Sequence, residues 1–94
     1  MTLNELRYLV TLAQVKHFGK AAKLCFVSQP TLSVAIKKLE EKLGVSLFER
    51  SNQQLSVTPI GQQVVDRARN ILEQLDDMDQ LVKNAKDPLQ GEIK

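Results

Sequence analysis

From Pro59 to Lys86 the apolar residues keep a strict spacing. Val64, Ala68, Ile71, Leu75, Met78, Val82 and Ala85 alternate steps of four and three. That repeat puts every member on one side of an α-helix and is the seam pattern of a coiled coil. Leu72 and Leu81 broaden the stripe. Thr58 suits the N-cap, Pro59 the first turn, and Asp87-Pro88 ends the run. At ~1.5 Å per residue the helix is roughly 42 Å long, too long for a small head to cover. An apolar seam of that length needs a partner, so residues 59–86 are predicted to dimerise with a second copy. Residues 87–94 read as a hinge and the start of a further, absent unit.

The chain has 94 residues and a net charge of +2, but the charge is unevenly placed. Residues 1–57 hold eight Lys/Arg and four Asp/Glu, whereas residues 58–94 hold five and seven. A basic head (1–58) on an acidic helix points to the head as the part that meets nucleic acid.

Within the head, Ser28 to Glu40 is the most informative stretch. Ser28 suits an N-cap and Pro30 the first turn. Leu32, Ile36, Leu39 and Leu43 form an apolar stripe, and Gly44 is a C-terminal stop. The opposite face shows Gln29, Pro30, Thr31, Ser33 and Val34, then Lys37 and Lys38. Small polar residues at the start and lysines further along suit a helix that enters a DNA major groove. A short helix, Lys20 to Cys25 with paired alanines, precedes it, and Phe26-Val27 bridge the two. That order is a helix-turn-helix. Upstream, Thr2 and Glu5 form a capping box for a first helix with Leu3, Leu6, Leu9, Val10 and Ala13 as its buried stripe. It ends near Lys16-His17, and Phe18-Gly19 turn the chain. Leu47–Arg50 and Leu55–Thr58 are short strand candidates joined by Ser51–Gln54, the hairpin wing of a mainly α, winged helix-turn-helix fold.

These residues resemble a family. Phe18-Gly19-Lys20-Ala21-Ala22, Val27-Ser28-Gln29-Pro30-Thr31-Leu32-Ser33, Leu39-Glu40, Leu43 to Arg50 and Thr58-Pro59-Ile60-Gly61 look like the N-terminal DNA-binding region of LysR-type transcriptional regulators. Arg7 to Val10, Lys16 to Gly19 and Ile36 to Glu40 look most similar to its peroxide-responsive, OxyR-type members. The resemblance covers essentially the whole chain. It implies sequence-specific binding to double-stranded DNA at interrupted palindromes, by homodimers whose linker helices pair roughly antiparallel. It also implies higher oligomers in the full-length protein, and an effector-sensing domain after the linker.

On this reading Gln29 bonds adenine bidentately, or is simply an exposed first-turn residue. Pro30 and Val34 pack on thymine methyl groups or act as spacers. Many family members carry arginine where this chain has Val34. Ser28, Thr31, Ser33, Lys37 and Lys38 suit phosphates, the alternative for the lysines being a solvated face. The resemblance makes Arg50 a phosphate contact, against an ion pair with Glu49 or Glu40. Asn52 and Gln53 at the wing tip can donate to minor-groove acceptors, but the tip carries no Lys or Arg.

Other readings have less support. No nucleophile–base pair, carboxylate pair or phosphate-binding glycine loop marks an enzyme. Asp76, Asp77 and Asp79 point apart on a helix, so no metal or cofactor is predicted. The single Cys25 reads as a small core residue, and His17 as a residue at a helix C-terminus. No apolar run can span a membrane and no signal peptide is evident, so the predicted location is the cytoplasm. A coiled-coil module whose winged helix binds protein is the second reading. RNA binding is third, disfavoured by the few aromatics available for stacking.

Overall fold

The computed structural model describes residues 1–52 and 54–86. The expected hinge at 87–94 and the wing-tip Gln53 lie outside them. The elements run α1 (Leu3–Val15), α2 (Phe18–Leu24), α3 (Gln29–Leu43), β1 (Phe48–Ser51), β2 (Gln54–Val57) and α4 (Pro59–Lys86).

Local chemistry sets most boundaries. The Thr2 side chain accepts from the Glu5 amide and the Glu5 carboxylate accepts from the Thr2 amide, so the capping box forms. Ser28 caps α3, and Gly44 ends it at φ 72, a left-handed conformation that glycine adopts without strain. Thr58 Oγ1 accepts from the Gly61 amide at 3.0 Å and donates to the Ser46 carbonyl at 2.7 Å, tying α4 to the loop before β1. The strands pair antiparallel with Phe48 opposite Val57 and Ser51 opposite Gln54, a one-residue shift from the predicted limits.

Three local expectations change. Phe18 and Gly19 do not turn the chain but begin α2, which ends at Leu24. His17 is not a helix C-terminus either. It is extended and caps α2, its Nδ1 accepting the Lys20 amide at 3.0 Å. Cys25 is the C-cap of α2 and is partly exposed, not core. Its neighbours explain this: Leu24 is 60% and Phe26 94% exposed, with Phe26 at φ 61 in the helix-turn-helix turn.

The core lies where α1 meets α2, α3 and α4. Leu9, Leu12, Leu32, Leu39, Leu47 and Val65 are fully buried, with Leu6, Ala21, Ala22, Ile36 and Ala68 around them. The buried arc of α1 is therefore centred on Leu9 and Leu12. Leu3 is 43% exposed and Val10 only partly covered, since the other helices cover α1 chiefly at Leu6, Leu9, Leu12 and Ala13. On α4 the first turns belong to this core through Gly61, Val65 and Ala68. The remainder of α4 projects, giving extents of 56 × 25 × 20 Å. Among the described residues, no helix is long and apolar enough to cross a membrane.

Candidate nucleic-acid interface

Burial divides α3 cleanly. Leu32, Ile36 and Leu39 anchor one side in the core. Gln29, Pro30, Thr31, Val34, Lys37 and Lys38 are exposed on the other, and Ser33 is half-buried between them. Ser28 Oγ accepts the Thr31 amide at 3.2 Å and shares a 2.8 Å hydrogen bond with the Thr31 hydroxyl. Those hydroxyls thus fix the helix start and keep spare bonding capacity outward. Pro30, Thr31, Val34, Ala35 and Lys38 line a shallow concavity of about 480 Å³ with Glu5 on its wall. The Thr2 amide, hydrogen-bonded to Glu5, holds that carboxyl below its ordinary range against the effect of burial, with Lys42 adding attraction. Lys42 Nζ stands 3.7 Å from Glu5 Oε2, so this acid has a cationic neighbour.

The wing is fixed from α3. Glu40 Oε2 accepts the Leu47 amide at 2.7 Å and the Phe48 amide at 3.1 Å. The carboxylate is therefore committed to positioning β1 and not to Arg50. Arg50 instead lies over the Phe18 ring, 4.4 Å from its centroid, in a cation–π arrangement. Its guanidinium is held at the start of α2, and the residue stays exposed. Asn52 is exposed at φ 50, a backbone state that asparagine tolerates.

Burial divides the seam of α4 into two parts. Ala68 is 1% exposed within the chain, which leaves it no surface for a partner. Val64 and Leu75 are half-buried. Ile71, Met78, Leu81 and Val82 are 47%, 56%, 69% and 48% exposed, and Ala85 is also exposed. The heptad spacing reads both parts as one stripe, because it does not show which members the head covers. The roles of Phe18, Glu40 and Val65 depend on tertiary neighbours, and that of His17 on a local cap that histidine seldom makes.

The family described as bacterial regulatory helix-turn-helix protein, lysR family, matches residues 3–62. The chain belongs to the lysR family. Within it, the chain is 45% identical over 92 residues to the HTH-type transcriptional regulator EstR of Acinetobacter baylyi, covering 98% of this chain and 31% of that protein. Full-length OxyR from Pseudomonas aeruginosa superposes with a TM-score of 0.86 at 54% identity, over 93% of this chain and 30% of that one. The BenM DNA-binding domain in complex with catB site 1 DNA gives 0.86 at 36% identity, over 92% of both chains. The chain thus spans under a third of EstR and OxyR but nearly all of the isolated BenM domain. This lysR-family domain has the four helices and two-stranded wing expected of a mainly α winged helix-turn-helix.

Proposed function

We propose that this chain is the DNA-reading head and linker helix of a LysR-type transcriptional regulator. It binds double-stranded DNA as a homodimer at interrupted palindromes. The observation that carries this reading is the exposed, acid-free outer face of α3, from Gln29 to Lys38, on a helix whose other side is locked into the core. Likeness to a BenM domain solved with DNA supports it. Gln29 reads a base edge, Pro30 and Val34 meet thymine methyl groups, and Ser28, Thr31, Ser33, Lys37, Lys38 and Arg50 meet phosphates. Asn52 and Gln53 approach the minor groove. The second copy packs on Ile71, Leu75, Met78, Val82 and Ala85, with Val64 at the margin and Leu81 broadening the contact. Function is by binding, without catalysis, and in the cytoplasm.

Likeness to OxyR supports a regulator of the oxidative-stress response. The helix-turn-helix itself carries no feature that chooses between this and other signals. The test of DNA binding is a salt series on a duplex selected from a random library. If a dimer makes about six phosphate contacts, the affinity falls by roughly 10³ between 50 and 200 mM salt. Flat salt dependence and equal binding to every duplex would favour the protein-interaction reading instead.

A further inference from the structure

His17 is the residue whose role changes most between sequence and structure. Its Nδ1 accepts the Lys20 amide at 3.0 Å. A ring nitrogen that accepts carries no proton, so the neutral imidazole has its proton on Nε2. Capping α2 therefore leaves the Nε2–H available to another partner. Ser, Thr, Asn or Asp would cap equally well with an oxygen. Histidine adds a donor on the side of the ring away from the helix.

The groove that His17 lines is suited to an anion. Lys16, His17, Gly19, Gln29, Arg50 and Gln54 wall a groove of about 280 Å³, and no carboxylate lines it. A Cβ built on Gly19 would stand 3.0 Å from His17 Cε1 and 3.6 Å from Gln29 Oε1. The imidazole edge and the Gln29 carboxamide thus close in over Gly19, where any larger residue would press on the ring. Arg50 is held on the groove wall by the Phe18 ring. Lys16, the left-handed C-cap of α1, adds a second cation. The groove borders the first residue of α3, next to the face assigned to base contacts.

We propose that this groove seats one backbone phosphate of the DNA, with His17 Nε2–H as a hydrogen-bond donor and Arg50 and Lys16 as the opposing charges. The inference rests on the DNA-binding reading and adds His17 and Lys16 to it. Gln29 then has two neighbours in the complex: a base edge ahead of it and a held phosphate beside it. The phosphate fixes the register in which the base edge is met.

The test uses the selected duplex with each phosphate replaced in turn by a neutral methylphosphonate. The proteins are the wild-type chain, His17→Ser, which keeps a capping oxygen, and His17→Asp, which keeps the cap and adds repulsion. Wild type should lose about tenfold in affinity at one phosphate per half-site, as expected for a hydrogen bond to a charged group. His17→Ser should bind the unmodified duplex about tenfold more weakly, be insensitive to that one substitution, and melt with wild type. His17→Asp should bind more weakly still. Equal binding by His17→Ser and wild type, or losses that add at every position, would overturn the proposal. So would an inorganic phosphate titration that shifts the His17 Nε2 resonance while the duplex does not, since the groove would then hold a free anion. A wild-type chain that binds no selected duplex would defeat the DNA-binding reading itself.

Discussion

Replacing Gly61 by alanine tests how α4 is joined to the head. A Cβ on Gly61 would fall on the Leu47 carbonyl oxygen, deep inside van der Waals contact, with the Leu47 carbonyl carbon and Thr58 Oγ1 each 3.0 Å away. The obstacle is backbone. It also accepts the Thr58 amide at 3.0 Å, so it cannot turn aside as a side-chain end would. Relief requires the first turn of α4 to move off, straining the Thr58 cap and the seat of fully buried Val65. Overpacking of this kind costs about 3 kcal/mol at the upper end of its usual range. Loss of the cap adds ~1 kcal/mol, and the better helix propensity of alanine returns ~1 kcal/mol. The net is a destabilisation of about 3 kcal/mol, or a melting temperature lower by roughly 12–24 °C for a domain of this size. Gly44→Ala is the control. Nothing lies within 4 Å of its Cβ position, and only its φ of 72° opposes a side chain. That variant should lose about 1–2 kcal/mol. Urea titrations of the two variants beside wild type give the comparison. If Gly61→Ala were as stable as wild type or more so, helix propensity would dominate and the steric argument would be wrong.

Met78→Asp should shift the chain from dimer to monomer in sedimentation equilibrium while leaving the head folded, since Met78 is 56% exposed within one chain. An unchanged mass would rule out the distal half of α4 as the contact. Gln29→Ala should cost about 1–3 kcal/mol at one base position in a panel of single-base operator variants. Lys37→Ala should weaken all variants alike and lower the salt slope by about one unit; if Gln29→Ala behaved in the same way, its base-reading role would be lost. The Glu5 carboxyl is held below its ordinary 4.5, first by the Thr2 amide. A lowered folded value means that its contribution is complete above the unfolded value and is lost as pH falls through the folded one. Wild type should therefore lose stability over that acid range relative to Glu5→Gln, which keeps the capping-box geometry without the charge. Urea midpoints that run parallel for the two proteins from pH 7 to 3 would deny Glu5 this role.

Elements whose signals are local were readable from the amino acids. The start of α4, the Ser28 cap of α3, the Gly44 stop and the Thr2–Glu5 box each depend on residues within one turn of one another. The remaining residues have either an uncommon local role or a distant partner. Histidine is an uncommon cap, so Lys16-His17-Phe18-Gly19 reads as a turn, whereas His17 caps an α2 that begins at Phe18. Cys25 looked buried because its neighbours are apolar, yet Leu24 and Phe26 point outward. Arg50 was weighed against carboxylates, and its partner proved to be an aromatic ring from another helix. The outer face of α3 was legible because amphipathicity separates it from the core. The groove beside it was not, since it gathers side chains from four elements and the α1–α2 junction.

The junction at Gly61 has a geometric consequence. Because Val65 and Ala68 are part of the core, α4 leaves the head as a stiff lever. Over 28 residues, at ~1.5 Å per residue, a tilt of about 5° at its base moves the far end by roughly 4 Å. That is close to the ~3.4 Å by which DNA rises along its axis per base pair. In a dimer joined through the distal half of α4, the distance between the two recognition helices is thus set at Leu47, Thr58 and Gly61, far from any base. Operator spacing and operator sequence are then separately adjustable: one by residues at the joint, the other by residues on α3. A regulator could acquire a differently spaced set of sites while still reading the same half-site letters.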